Sequence, residues 1–183
     1  MIYREFETQL YGEDTNIRRE LPLLREQFGF RRTVCGCDLC RAPCRHMPGS
    51  LDIGDLPRLC PAGQNVLVWA EEHLRALTDK PFPTLVPARQ TNGHCHWLYE
   101  GKCAVHEVSP YGCAFFDSHM DGAEVKHRSA ATVEARRADQ LNNGLYYQVW
   151  RHLCVRGLTA MSGDRASLAE ELRKIRCAAE RKF

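Results

Sequence analysis

Long hydrophobic runs are missing from this sequence, and so is a surplus of one charge. No apolar stretch approaches the roughly 18 residues of a membrane-spanning helix. The first segment, MIYREFETQL, has acidic residues where a secretory signal has an apolar core. The formal net charge is +2 and basic residues are interleaved with acids, so no basic surface for nucleic acid is predicted. We therefore expect a soluble, cytoplasmic protein that binds neither a membrane nor nucleic acid.

The sequence also lacks the common motifs of cofactor-dependent and nucleophilic enzymes. It contains no G-x-G-x-x-G loop, no P-loop lysine motif and no nucleophile elbow. These absences count against an independent nucleotide-binding domain or a Rossmann-type methyltransferase domain. Whether the protein is an enzyme stays open, and any enzymatic activity would have to depend on a bound metal.

Cysteine, in contrast, is abundant, with ten residues in a chain of 183. Without an export signal these thiols are expected to be reduced, and clustered reduced thiols are more often metal ligands or redox groups than disulfides. The stretch CGCDLCRAPC places Cys35, Cys37, Cys40 and Cys44 within ten residues. A disulfide between residues this close would be cramped, because bridged Cα atoms need about 4.4–6.8 Å. The spacing therefore indicates a metal or a metal cluster.

A second cysteine group follows in HCHWLYEGKCAVHEVSPYGC, where Gly101 predicts a tight hairpin that lets Cys95 and Cys103 face each other. Together the two groups supply the predicted metal ligands Cys35, Cys37, Cys40, Cys44, Cys95, Cys103 and Cys113. Whether His106 or Cys60 adds a ligand stays open, with Cys60 favoured as a packing residue. Cys154 and Cys177 are expected to be small apolar residues on helices. His119, with Asp117 and Asp121, could form a hard-ligand or acid–base group, and a polar turn is favoured for it.

The predicted fold class is a small α+β fold, mainly α, with an irregular, loop-rich metal-binding core and a few short strands. We expect an N-terminal helical segment over 1–34, a cysteine-cluster domain over 35–120, and C-terminal helices over 121–183 that pack on that domain or mediate self-association. Helical spacing in NIRRELPLLREQFGF supports the first of these.

Several element boundaries follow from local patterns. NVLVWAEEHLRAL predicts one helix capped by Asn65 and continuing to Leu77. SLDIGDLPRL predicts a short helical turn capped by Asp52 or Asp55. Ser167 and Glu170 have the spacing of a capping box for the last helix.

The order of these motifs resembles the YkgJ-like cysteine-cluster family, which is described as a zinc- or iron-chelating domain. The resemblance covers about residues 35–120, roughly half of the chain. The matching positions are Cys37, Cys40 and Cys44 in the first block, and Cys95, Cys103, Pro110, Cys113 and Phe116 in the second. The sequence departs from the family pattern at Arg45, His106, Ser109 and Ala114. The resemblance implies metal chelation without one settled reaction, and one branch of the family is linked to protein lysine methylation.

Two metals fit the thiols. Zinc favours tetrahedral thiolate or mixed thiolate and imidazole sites, whereas an iron–sulfur cluster such as [4Fe–4S] takes four thiolates. Seven thiols exceed the need of one site, so either two zinc sites share ligands with help from histidines, or one cluster uses four thiols. The surplus of thiols over well-placed imidazoles favours the cluster.

Three functions therefore remain open from the sequence. The chain is predicted to be a metal-binding protein with a redox-active iron–sulfur cluster or zinc. The alternatives are a structural zinc module that binds another protein, and a metal-dependent protein-modifying enzyme related to methylation.

Overall fold

The computed structural model describes residues 19–20, 26–35, 37–116 and 118–180. Helices dominate this part of the chain, and the sheets are small, so the predicted α+β class is confirmed. The α-helices are α1 (Asp38–His46), α2 (Leu56–Leu59), α3 (Val66–His73), α4 (Tyr111–Ala114), α5 (Gly122–Leu141), α6 (Leu145–Val155) and α7 (Arg165–Glu180).

The strands are short and form separate sheets. They are β1 (Arg19–Glu20), β2 (Glu26–Gln27), β3 (Phe30–Arg31), β4 (Thr33–Val34), β5 (Leu74–Leu77), β6 (Leu85–Pro87), β7 (Leu98–Tyr99), β8 (Lys102–Cys103) and β9 (Thr159–Ala160). Antiparallel pairs join β1 with β4, β2 with β3, and β7 with β8. The three-stranded sheet has the order β6-β5-β9, with β5 antiparallel to β6 and parallel to β9.

The prediction of helix before the first cysteines is wrong for the residues described there. Strands β2 and β3 form a hairpin, and both residues of its turn, Phe28 and Gly29, have positive φ, at 55° and 76°. Such a turn matches the twist of an antiparallel pair and cannot continue a helix. The apolar residues Ile17, Leu21 and Leu24, on which the helix prediction also rested, lie outside the described residues.

The helix predicted from NVLVWAEEHLRAL begins as expected but ends early. The Asn65 side chain accepts hydrogen bonds from the backbone amides of Leu67 and Val68, which confirms the predicted cap. The helix stops at His73, and Leu74–Leu77 forms β5, the central strand of the β6-β5-β9 sheet. Strand β6, which follows β5 closely in the chain, pairs on one side, and strand β9 from a distant segment pairs on the other. This pairing overrides the helical spacing of the β5 leucines.

The main hydrophobic core lies between this sheet and α6. Leu51, Leu74, Leu85 and Leu153 are fully buried there. The Tyr146 hydroxyl joins two of the elements, because it donates to the carbonyl of Leu51 (3.0 Å) and accepts from the backbone amide of Leu85 (2.7 Å). The segment that follows α1 is therefore tied to the sheet through α6.

Helix α7 packs against α1, the helix that carries part of the first cysteine group. Glu171 accepts from the Nε of Arg45 at 2.9 Å and also contacts His46. Asp164 accepts from the first backbone amides of α7, so Ser167 lies inside the first turn and the predicted capping box is not formed. No helix within the described ranges is long and apolar enough to cross a membrane.

Two glycines bring the cysteine-bearing segments into backbone contact. A Cβ atom at Gly49 would lie 2.3 Å from the backbone carbon of Gly112, and a Cβ at Gly112 would lie 2.4 Å from the Ser50 nitrogen. The Gly112 amide also donates to the Ser50 carbonyl at 2.8 Å. This Gly49–Gly112 crossing holds Cys113, in α4, against the segment that follows α1.

Gly112→Ala is therefore expected to destabilise the fold by about 1–3 kcal/mol or more, because a methyl group has no room between two backbones. Urea unfolding measures this change. Gly122→Ala is the matched control, since a Cβ there meets no atom within 4 Å, and its stability should not fall. An equal loss of unfolding free energy in Gly112→Ala and Gly122→Ala would show that the Gly49–Gly112 crossing is not tightly packed.

A buried carboxyl group makes stability depend on pH. Burial raises the pKa of Asp52 to about 7, and the Arg136 guanidinium opposes this. The folded protein therefore holds a proton that the unfolded chain releases near pH 4, so this group's contribution to stability falls as pH rises towards 7. The slope from one proton is at most about 1.4 kcal/mol per pH unit.

Asp52→Asn removes this titration. The difference in unfolding free energy between wild type and Asp52→Asn should change with pH up to about 7 and level off above it. Urea unfolding from pH 5.5 to 8 measures the difference, and Glu134→Gln on the exposed face of α5 is the control. A pH-independent difference between wild type and Asp52→Asn would contradict the prediction.

Candidate metal centre

The start of α1 brings the first three cysteines together. Cys37 is the N-cap of α1, and its carbonyl accepts hydrogen bonds from the amides of Cys40 and Arg41, both at 3.1 Å. Cys37 and Cys40 are thus separated by the first turn of the helix. This places both thiols on the side of α1 that faces Cys35 in the preceding segment. Cys35 is buried, and Cys37 and Cys40 are half-buried.

A fourth donor comes from a turn just before α5. The His119 Nε2 atom lies 3.5 Å from the Cys35 sulfur and 3.4 Å from the Cys37 sulfur. The preceding residue holds this turn on α1, because the Ser118 hydroxyl donates to the Leu39 carbonyl at 3.0 Å.

These four residues, the thiol–imidazole centre, have the geometry of a metal site. One ligand atom from each of Cys35, Cys37, Cys40 and His119 lies within 4.8 Å of every other. In a tetrahedral zinc site with ordinary bond lengths, thiolate sulfur and imidazole nitrogen lie about 3.6 Å apart. The observed sulfur–nitrogen distances of 3.4 and 3.5 Å are close to that value. The group can hold a metal ion such as zinc.

The protonation of these thiols favours metal capture over free thiolate chemistry. Burial raises the pKa of Cys35 and Cys40, and the Ser118 backbone amide partly opposes the rise at Cys40. Without a cation the two thiols therefore stay protonated at neutral pH, so they are poor nucleophiles. A bound cation reverses this preference, because it binds thiolates and releases their protons.

The other four predicted cysteines form a second group, the thiol quartet of Cys44, Cys95, Cys103 and Cys113. Cys44 lies on α1 one turn after Cys40, which is about 6 Å along the helix axis. The Cys95 amide donates to the Cys44 carbonyl at 2.8 Å. Cys103 lies on β8, after the predicted hairpin turn at Gly101. Cys113 follows Gly112 directly and is therefore positioned by the Gly49–Gly112 crossing.

Cys113 borders the same cavity as the three other thiols of the quartet. Burial raises its pKa well above the ordinary value, and Cys44, Cys95 and Cys103 raise it further. Burial likewise raises the pKa of Cys95 to about 12, with Cys44 contributing. The pKa of Cys113 therefore depends on the charge of each of the other three thiols.

The sulfur atoms of the quartet are spaced more widely than the ligand atoms of the thiol–imidazole centre. Among the described residues, only that centre has three or more donor atoms that all lie within 4.8 Å of one another. The quartet borders a cavity of about 280 Å3, which is also lined by Cys35 and Cys40 of the first centre. Six of the seven cysteines predicted as ligands thus line one cavity, and Cys37 lies next to it in the thiol–imidazole centre.

The histidines and remaining cysteines have other positions. His106 lines the same cavity and is buried, and burial lowers its pKa to about 4, so it is neutral there. His96 pairs with His73 at 3.0 Å. The Cys60 sulfur contacts the carbonyls of Pro61 and Gln64. Cys154 and Cys177 lie on α6 and α7 and line neither thiol group.

His119 is the ligand candidate that sequence reasoning missed. The sequence favours a polar turn there, with a hard-ligand group of His119, Asp117 and Asp121 as the alternative. His119 is not connected to Cys37 in the sequence, since the two lie more than 80 residues apart. Its position six residues after Cys113 was the available signal, since a histidine near a cysteine block is a common zinc ligand.

Comparison with known proteins adds no assignment: no family model, curated protein or solved structure matches the chain.

Proposed function

We propose that this protein is a metalloprotein that binds zinc in its thiol–imidazole centre. The observation that carries the proposal is the convergence of Cys35, Cys37, Cys40 and His119 within 4.8 Å. Three thiols and one imidazole are a standard ligand set for structural zinc, and four protein ligands leave no open position for a substrate. In this role the metal ties the turn at His119 to the start of α1.

A second metal group, an iron–sulfur cluster, is proposed for the thiol quartet. In a [4Fe–4S] cluster each thiolate binds a different iron, so the sulfurs stand farther apart than around one ion. The wider spacing of the quartet and its adjoining cavity support a cluster there. Burial of a cluster among coupled thiols suits a redox function.

Membership of the YkgJ-like family is part of the same proposal. It is supported by the two cysteine blocks, in order and with matching spacing, and by the Pro110 and Phe116 positions. A zinc module that binds another protein, or a methylation-related enzyme, would use the same metal groups.

Metal analysis of single variants tests both assignments. Protein purified without oxygen should contain one zinc per chain, together with about four iron and four sulfide and absorbance near 400 nm. Cys37→Ser should lose zinc and keep iron, whereas Cys113→Ser should lose iron and keep zinc. Cys177→Ser, on α7, is the matched control and should keep both metals.

The outcomes separate the parts of the proposal. Protein with zinc in both sites and no colour would overturn the cluster and leave the zinc proposal standing. Loss of the same metal from Cys37→Ser and Cys113→Ser would show one shared site in place of two. Protein that binds neither metal, with all ten cysteines titrating as free thiols, would overturn the proposed function.

A further inference from the structure

A second cavity, of about 390 Å3, lies beside the metal groups. It is bordered by α5, by the β6-β5-β9 sheet and by the segment that precedes α7. It shares four lining residues with the cavity of the thiol quartet, namely Pro48, Gly49, Gly112 and Phe116. Its volume lies within the range of small-molecule sites in proteins, about 300–1,000 Å3.

Positive charge distinguishes this second cavity, which we name the arginine cavity. Its cationic lining residues are Lys80, Arg89, Arg136 and Arg165. Among the described residues, no aspartate or glutamate lines it. Two carboxylates lie nearby: Asp52 is 3.7 Å from the Nε of Arg136, and Asp79 accepts from the Ser162 amide at 3.0 Å. The lining therefore attracts an anion.

Arg136 is the buried cation of this cavity. It is only 4% exposed, and its guanidinium donates through Nη2 to the Ser50 hydroxyl (2.9 Å) and to the Leu51 carbonyl. Its Nε atom is buried and has no hydrogen-bond partner in the described part of the chain. This Nε atom is buried from solvent and faces the Asp52 carboxyl at 3.7 Å, so Arg136 contributes positive charge to the cavity wall.

The remaining walls are largely apolar. They include Leu77, Phe82, Val86 and Val133 from the sheet side and from α5, together with the shared residue Phe116. A few polar groups within apolar walls orient a ligand that has one charged end and an apolar body.

We propose that the arginine cavity binds a small organic oxyanion, a carboxylate or a phosphate ester with a short apolar chain. The charged group would be attracted by Arg136 and would accept hydrogen bonds from the other lining cations, and the chain would lie against the apolar walls. This site uses none of the metal ligands, so it goes beyond the proposed metal function.

Isothermal titration calorimetry of the metal-loaded protein tests the site with three probes of equal chain length. Octanoate and octyl phosphate carry the two kinds of oxyanion, and 1-octanol is the neutral control. At least one anion should bind about ten-fold or more tightly than 1-octanol, because a desolvated charge pair contributes 1.4 kcal/mol or more. The tighter of the two anions identifies the preferred head group.

Variants connect binding to the cavity. The double variant Lys80→Gln/Arg165→Gln should bind the preferred anion about five-fold or more weakly than wild type. Arg136→Gln should abolish binding of that anion. If Arg136→Gln does not fold, the anion affinity of the double variant Lys80→Gln/Arg165→Gln tests whether the anion binds in the arginine cavity. Arg151→Gln removes the same charge from the exposed face of α6 and should bind like wild type.

The proposal is overturned if the protein binds the alcohol as tightly as the anions. It is also overturned if Arg151→Gln lowers the affinity for the anion as much as the cavity variants do. Absence of binding up to about 5 mM of either anion, which corresponds to less than about 3 kcal/mol of binding free energy, also overturns it. Because zinc and iron are measured in every sample, failure here is distinct from failure of the metal proposal.

Discussion

Removal of zinc from the thiol–imidazole centre is expected to lower the free energy of unfolding by at least about 3 kcal/mol, since binding to a structural zinc site contributes directly to folding. The reason lies in how His119 is attached. The Ser118 hydroxyl of its turn donates a hydrogen bond to the Leu39 carbonyl of α1, and the His119 imidazole contacts the sulfurs of Cys35 and Cys37. A zinc ion would bind one buried thiol, two half-buried thiols and the imidazole at once, and so fix the turn to α1.

Thermal and urea unfolding before and after treatment with a zinc-selective chelator measure this loss, and added zinc should restore the original transition. His119→Ala should mimic the chelator in part, whereas His119→Cys should keep zinc, because four thiolates also form a tetrahedral site. Coincident unfolding curves with and without the chelator would show that the metal does not stabilise the fold.

Asp55→Ala is expected to destabilise the protein by about 3–5 kcal/mol, the range for breaking a buried ion pair by removing one partner. Asp55 is fully buried, and it accepts hydrogen bonds from the amides of Asp52 and Tyr111, each at 2.7 Å. It also pairs with Arg58, which itself donates to the Ser109 carbonyl at 3.0 Å. The carboxylate therefore joins the segment before α2 to the segment that leads into Cys113.

The substitution leaves the Arg58 guanidinium buried without its anion and two amides without their acceptor. Urea unfolding measures the loss. Glu170→Ala is the matched control, because Glu170 forms an (i, i+3) pair with Arg173 on the exposed face of α7 and should show no measurable change. In the double variant Asp55→Ala/Arg58→Leu the loss should be smaller than the sum of the single losses, and strict additivity would contradict the coupling.

Although the predicted Ser167/Glu170 capping box is not formed, some features that depend on neighbouring residues were predicted correctly. The Asn65 cap is one example, because the cap and the amides it accepts from are at most three residues apart. Asp55, one of the two proposed caps, occupies the N-cap position of α2, but its side chain accepts from the amides of Asp52 and Tyr111 and does not cap the helix. Helices α5, α6 and α7 also lie within 121–183, where C-terminal helices were predicted. The strand β5 could not be predicted in this way, since its partners come from residues 85–87 and 159–160.

For the metal groups, spacing alone indicated which cysteines are candidate ligands. Cys35, Cys37 and Cys40 are so close along the chain that almost any fold would keep their sulfurs together. The division into two groups required the folded chain. Cys40 and Cys44 belong to one short motif, yet they lie a helical turn apart, and each joins donors from a different distant segment. Chain spacing carries no information about which distant segment the fold brings to each thiol, and for that reason only the tertiary structure selected His119 for one group and Cys113 for the other.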